Sequence, residues 1–334
     1  MRIAIDAMGG DYAPAEIVRG ALDGLVYLEE GDELILFGRE ETIKPHLPAD
    51  AKSGKQVTIK HCPEVIEMED SPVDAIRQKK KSSIVVMNRM AKNGDVDAII
   101  SAGNTGACAA AGQLILGPLE GVQRPGIAVV LPSFHGPLVV CDVGANVAPK
   151  PQHLVQYAQM ASIFSELILG IKNPRVALLS IGSEEVKGNL LTKQAHDLLK
   201  QEPAINFVGN VEGRDVFSGG CEVAVCDGFV GNIVLKLTEG LAHGIFKTIQ
   251  HEIEIESPDL APRFDPIVKR IWARHDYSEY GGAPLLGLNG VSMICHGSSD
   301  RRAIKNAVRV CADYVRRNLN KAIETRISEV AAHV

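Results

Sequence analysis

The sequence predicts an α/β protein: a mainly parallel sheet covered by helices on both faces. Two observations carry that expectation. Short β-branched runs alternate with longer stretches of helical periodicity, the pattern of successive βαβ units. Glycine is frequent, at 32 residues, and aromatics make up only 4%, so tight turns are plentiful and large ring clusters are not. With 46% hydrophobic and 23% charged residues the composition is that of a soluble globular chain. At 334 residues roughly three quarters of the unfolded surface can be buried. No repeat or low-complexity linker interrupts the chain, so one α/β catalytic domain over residues 1–334 is the simplest organisation.

The elements follow in order. Arg2 to Asp6 is an apolar run closed by an acid and two glycines, and reads as the first strand. Ala15 to Leu28 reads as a helix, and Glu33 to Phe37 and Gln56 to His61 as strands. Ser82 to Lys92 is helical and leads into a strand at Val96 to Ile100; Thr105 to Leu116 is the next helix. Two strands come close together at Ile127 to Leu131 and Leu138 to Asp142. The helix Pro151 to Leu169 opens on a proline, which suits a first helical position. Val176 to Ser180 (strand), Leu190 to Lys200 (helix), Ile205 to Val208 and Glu222 to Cys226 (strands) complete the alternating part.

Beyond Gly231 the pattern changes. Ile233 to Ile255 reads as one long helix, with Leu237, Leu241, Ile245, Ile249 and Ile253 spaced four apart on one stripe. Ser257-Pro258 ends it, and Asp265-Pro266 resembles an N-cap followed by a first-position proline. The short helix that follows sets Ile267, Val268, Ile271 and Trp272 on one face, with Lys269, Arg270 and Arg274 beside them. A helical hairpin projecting from the sheet over about residues 233–280 is expected, and then a long last helix from about Asp300 to Val330.

Charge and cysteine usage exclude several function classes. A net charge of -6 and few aromatics disfavour nucleic acid, which needs a basic field and stacking platforms. The seven cysteines are scattered without a C-x-x-C pair, mostly in apolar runs, which fits buried packing in a reducing cytoplasm. Cys108 and Cys226 lie near motif loops but have no adjacent histidine, so packing is expected of them too. The opening segment lacks the apolar core of a cleavable signal, and no stretch has the length of a membrane span. A cytoplasmic protein, with room for peripheral membrane contact, is the expectation.

The chemistry is expected in the loops that end strands. Asp6 to Asp11, Ser101 to Gly106, Cys141 to Asn146, Ile181 to Gly188 and Cys226 to Asn232 are all rich in Gly, Asn and Asp. Such loops beyond the carboxyl ends of strands converge on one crevice in open α/β sheets, where glycine lets backbone N–H groups approach an anion. Gly, Asn and Asp also serve ordinary turns and caps; five such loops on one sheet edge favour a site. There is no G-x-G-x-x-G, P-loop, G-x-S-x-G or H-E-x-x-H, and the acids match no metal-ligand spacing, so no metal or cofactor is expected.

These segments resemble the bacterial phosphate acyltransferase (PlsX) family. The resemblance begins at Asp6-Ala7-Met8-Gly9-Gly10-Asp11-Tyr12-Ala13-Pro14 and continues through Ala102 to Ala107, Asp142 to Asn146 and Ile181 to Gly188. It extends over Gly209 to Asp215, Asp227 to Asn232, Gly282 to Gly290 and His296 to Ser299, with Ser183 a small departure. The resemblance implies a three-layer α/β/α sandwich similar to phosphate acetyltransferases and isocitrate dehydrogenases, and a homodimer. It implies acyl transfer from acyl carrier protein to inorganic phosphate. The acyl phosphate would feed phospholipid synthesis through a membrane glycerol-3-phosphate acyltransferase.

Phosphate is already an anionic nucleophile near neutral pH, so the reaction needs position and charge stabilisation rather than an activated serine or cysteine. Lys187, in a glycine-bounded loop, is the candidate cation, and Asn232 a candidate amide donor whose alternative role is to cap the long helix. Asn104, Thr105 and Gly106 are candidates to cradle phosphate or pantetheine, with Gly9, Gly10, Gly144 and Asn146 in the same loops. Asp6, Asp11, Asp142 and Asp227 either orient these donors or cap turns. His296, Ser298 and Ser299 precede the last helix and suit anion binding. The carrier protein is acidic, so a local basic patch must receive it: Arg77, Lys79, Lys80 and Lys81, or Lys269, Arg270 and Arg274. Two other readings stand beside this one: a metal-dependent hydroxy-acid dehydrogenase on a similar fold, and a non-catalytic membrane-surface scaffold.

Overall fold

The computed structural model describes residues 1–48, 56–256, 258–260, 262–264, 266–267 and 280–332. The strands are β1 (Arg2–Asp6), β2 (Glu33–Gly38), β3 (Val57–His61), β4 (Ala98–Ser101), β5 (Gly126–Ser133) and β6 (Gly136–Cys141). They continue with β7 (Arg175–Ser180), β8 (Asn206–Glu212), β9 (Val223–Val225), β10 (Ala283–Leu286) and β11 (Val291–Ile294). Helices α1 (Ala15–Gly24), α2 (Glu40–Ile43), α3 (Pro72–Gln78), α4 (Ser83–Lys92) and α5 (Thr105–Ala111) belong to the first half. The second half carries α6 (Pro151–Leu169), α7 (Leu190–Gln201), α8 (Gly228–Glu256), α9 (Arg301–Arg316) and α10 (Leu319–Ala332).

Among the described residues all strands join one sheet in the order β3-β2-β1-β4-β11-β10-β5-β6-β9-β7-β8. Strand residues alternate between two cores. Ile3, Ile5, Val130 and Val139 pack with α1, α6 and α9 on one face, whereas Ala4, Val129 and Val140 pack with α4 and α5 on the other. The result is a three-layer α/β/α sandwich, and the mainly parallel sheet follows from the βα alternation.

Three consecutive antiparallel pairings interrupt the parallel sheet: β11 with β10, β10 with β5, and β5 with β6. Strands β6 to β9 therefore run opposite to β1, β2, β3, β4 and β11. This corrects the expectation that all five motif loops share one edge. The loops after β1 and β4 end one half of the sheet, and those after β6, β7 and β9 end the other half in the opposite direction. The hairpin β10–β11, two four-residue strands not assigned from the sequence, enters between β4 and β5, but its two antiparallel pairings cancel and leave β5 in the sense of β4. The antiparallel β5–β6 pair is the step that reverses the strand sense.

Other boundaries also differ. The helix expected from Ile233 begins at Gly228, because Asp227 caps it. The single last helix is two, α9 and α10, broken where Asn318 takes a φ of 52°. Asparagine tolerates this left-handed conformation, which ends a helix. No α8 residue after Gly231 is fully buried, and its apolar stripe stays open, with Leu237 67% and Leu241 59% exposed. No helix of the described residues is long and apolar enough to cross a membrane. The expectations placed on Val268, Lys269, Arg270, Ile271, Trp272 and Arg274 lie outside the described residues; Ile267 is described and exposed.

Candidate active site

The site begins with a buried carboxylate at the end of β1. Asp6 accepts from Ser101 Oγ at 2.8 Å and from the Met8 N–H at 3.2 Å, and Gly103 N–H in turn donates to Ser101 Oγ. Burial pushes its pKa up, opposed by hydrogen bonds from Ser83, Ser101 and the loop N–H groups. Asp6 thus ties the first loop to the loop after β4. The approach is so close that a Cβ on Gly9 would stand 2.6 Å from the Gly103 nitrogen, so only glycine fits. Gly10, at a φ of 102°, turns the chain so that Asp11 N–H reaches the Gly297 carbonyl at 2.8 Å. The loops at the ends of β1, β4 and β11 are thereby one unit.

Asn104 is fully committed within that unit. Its Oδ1 accepts from Ala107 N–H and caps α5, and its Nδ2 donates to the carbonyls of Glu67, Met68 and Asp70. These bonds hold the 67–70 segment beside the site. Gly106 supports it: a Cβ there would meet Pro72 of α3 at 2.6 Å. Thr105, next to the cap, is exposed toward the site. His296 Nδ1 lies 2.7 Å from Ser298 Oγ, and Ser299 N–H donates to the His296 carbonyl, a compact turn ahead of α9.

The second unit follows β6 and β9. Asp142 Oδ1 accepts from the N–H groups of Ile127, Gly144 and Ala145, and Oδ2 from Asn146 N–H. Burial raises its pKa while these donors oppose the rise. Asn146 Nδ2 holds the Pro125 carbonyl, and the Asn146 carbonyl accepts from Gly228 N–H at the start of α8. Asp227 Oδ1 takes the N–H groups of Phe229 and Val230, each at 3.0 Å. Asp227 therefore performs the capping, and Asn232, a full turn into α8, does not. The Asn232 amide lies beside Gly144, whose Cβ position would be 4.0 Å from its Oδ1.

Helix α8 brings the two units together. Following β9, it presents Asn232, Leu235, Lys236 and Glu239 to a cavity of about 110 Å³. Thr105, His296 and Ser299 face the same cavity from the first unit, and Ile127, Val129, Val143 and Ile294 form apolar walls. Of the sequence candidates, Thr105, Asn232, His296 and Ser299 line it directly. Asp6, Gly9, Gly10, Asp11, Asn104, Gly106, Asp142, Gly144, Asn146, Asp227 and Ser298 build the loops around it. Lys187 is exposed in the loop after β7 and is not in the lining.

Lys236 escaped the sequence reading. It pairs with Glu239 at 2.9 Å on the wall of the cavity. Its spacing of four from Asn232 places it on the same helix face and was the available signal. Cys295 also lines the cavity, but burial pushes its thiol up to about 12, as it does for Cys108. Burial likewise raises Cys226, with Asp142 and Asp227 adding to the rise. Such thiols are poor nucleophiles. Among the described residues no group of three or more His, Cys, Asp or Glu is placed to hold a metal ion.

Solved structures share this architecture. A phosphotransacetylase from Streptococcus pyogenes superposes with a TM-score of 0.61 at 18% identity, covering 95% of this chain and 94% of that one. EutD phosphotransacetylase from Staphylococcus aureus gives 0.57 at 15% identity over 94% of each chain. At these identities the likeness concerns the fold. Sequence relatives are much nearer. A phosphate acyltransferase from Desulforamulus reducens is 50% identical over 97% of this chain and 96% of its own length. One from Desulfitobacterium hafniense is 50% identical over 99% of both. The family model described as fatty acid synthesis protein matches residues 1–322. With the motif loops, the fold and these relatives in agreement, the chain belongs to the phosphate acyltransferase (PlsX) family of transferases.

Proposed function

We propose that the chain, acting as one catalytic domain, transfers an acyl group from acyl carrier protein to inorganic phosphate, forming acyl phosphate for phospholipid synthesis. The observation that carries this reading is the cavity with apolar walls and a polar rim of Thr105, Asn232, His296 and Ser299. Such a site suits a thioester whose carbonyl meets an anion at the rim while its alkyl part leaves water. A phosphate oxygen attacks the carbonyl carbon, the C–O bond forms, and the C–S bond breaks as the tetrahedral oxyanion collapses. The departing thiolate takes up the proton that hydrogen phosphate loses on becoming acyl phosphate, so the products are acyl phosphate and free thiol. Asn232 and Lys236 supply a donor and a charge beside the developing oxyanion. Lys187, exposed in the loop after β7, is proposed to attract phosphate.

The test is phosphate-dependent release of free thiol from acyl carrier protein thioester by purified protein. Release of thiol without any need for phosphate, or no release, would end this reading. The exposed stripe of Leu237, Leu241 and Ile245 on α8 supports a homodimer through this helix. Leu241→Glu should then halve the mass seen by sedimentation. The sequence Lys269-Arg270-Ile271-Trp272, basic and aromatic together, suits an anionic membrane, where a glycerol-3-phosphate acyltransferase would take the product. Trp272→Glu with unchanged binding to anionic vesicles would remove that role.

A further inference from the structure

The cavity exists because the sheet is incomplete at this point. Strand β10 pairs with β5 only at Leu285–Ile127 and Leu286–Gly126, while β5 continues to Ser133. Just before β10, Gly281 and Gly282 turn the chain with φ values of 74° and 130°. Gly281 is also pressed against α9, where a Cβ would stand 2.7 Å from the Ala307 backbone. Between β5 and the end of β11 a gap therefore remains, walled by Ile127, Val129, Val143, Ala283 and Ile294 and covered by Leu235 of α8. An apolar gap that opens on a few polar groups has the form of a ligand pocket.

We propose that this gap is the binding site for the first few carbons of the acyl chain, so that the enzyme reads the acyl group next to its carbonyl. The inference rests on the acyl-transfer reading and assigns the alkyl half of its substrate. Volume sets the scale. A cavity of about 150 Å³ takes benzene, so about 110 Å³ holds about four carbons. The rest of a long chain must leave the gap and contributes little there. Ala283 is a small residue of the wall, half-buried and paired across β10–β11 with Ile294. A larger apolar side chain at this position fills the space without adding a polar group.

The experiment compares acetyl, butyryl, hexanoyl and palmitoyl thioesters of acyl carrier protein. In the wild type kcat/KM should rise about fourfold for each carbon buried, up to about four carbons, and then level off. Ala283→Leu should lower the butyryl-to-acetyl ratio about tenfold. Leu235→Gln, on the half-buried helix wall, should lower it as well without touching the sheet. Equal losses for all four substrates, unchanged ratios, or a wild-type rise that continues to palmitoyl would overturn the assignment. Octanoate binding by calorimetry, without phosphate or carrier, separates the two readings. Octanoate bound by the wild type and lost in Ala283→Leu upholds the gap as an acyl site even if no thioester is turned over. Binding that survives Ala283→Leu overturns it whatever the turnover.

Discussion

Gly231 rests directly on the carbonyl of Asp142: a methyl group on its α carbon would stand 1.9 Å from that oxygen. The first turn of α8 is thus seated on the loop after β6, and Asn232 is the next residue. Gly231→Ala must push the helix away. Overpacking of this kind costs about 1–3 kcal/mol, and a backbone obstacle yields less than a side chain. We expect about 3 kcal/mol lost in urea unfolding and turnover reduced with it. A variant of wild-type stability would show that α8 does not depend on this seat.

Asp227 and Asn232 have separable roles, and substitution should separate them. Asp227→Ala removes the cap and should cost about 1 kcal/mol of stability. Asn232→Ala removes no hydrogen bond within the fold, so the melting temperature should hold while transition-state stabilisation falls by about 3 kcal/mol. Lys187→Ala and Lys236→Ala should each lose about 2–4 kcal/mol by the same measure, with the fold intact. If only Lys236→Ala loses activity in steady-state assays, the phosphate cation is Lys236 and Lys187 leaves the site.

A pH test addresses the second half of the sheet. Arg175, at the start of β7, binds Glu222 through Nη2 at 2.5 Å, and its own N–H donates to Oε2 at 2.7 Å. The bonded guanidinium holds the Glu222 carboxyl below its ordinary 4.5, with burial opposing. A lowered carboxylate pKa stabilises the fold above the unfolded pKa, and the gain is lost as pH falls through the folded value. Since the pair is partly exposed, Glu222→Gln should cost only about 1 kcal/mol at pH 7. The gap between variant and wild type should be flat above about pH 5 and close on further acidification. A gap that never narrows as the pH is lowered to the acid limit of the folded protein, in thermal unfolding, would mean that shape, not charge, holds this corner.

The nine strands before residue 227 and most helices were legible because each is a local signal: a β-branched run or a helical period closed by turn residues. β10 and β11 were not, being four residues each, although Gly287 and Gly290 mark the connection between them. They nevertheless fill the centre of the sheet, between β4 and β5, and the reversal of strand sense belongs to the next pair, β5 with β6. The motif loops were found as residues, but their division of labour was not. Asn104 and Asp142 look alike in sequence to ligand-binding groups, and only the three carbonyls held by Asn104 and the four N–H groups on Asp142 identify them as organisers. Lys236 was missed because it lies inside a helix, away from any glycine-rich loop.

The segment that Asn104 clamps leads straight to a basic surface. After Asp70 the chain enters α3 and reaches Arg77, Lys80 and Lys81, all exposed, while Lys79 is engaged with Asp70. Gly106 packs on Pro72 at the head of α3, so this surface is joined to the rim at Thr105. The chain as a whole carries a net charge of -6, so an acidic carrier must find a local positive patch against an unfavourable field. Arg77→Glu with Lys80→Glu and Lys81→Glu should raise the KM for acyl carrier protein about tenfold or more, leave the KM for phosphate unchanged, and flatten the salt dependence of the carrier's KM. The KM and salt dependence are the readouts because rim charges act on encounter and orientation rather than on the chemical step. Lys79 is left in place, since its pair with Asp70 supports the clamped segment. Unchanged carrier kinetics across a salt series would exclude this surface as the docking site and leave the residues around Lys269 and Arg270 to be tested.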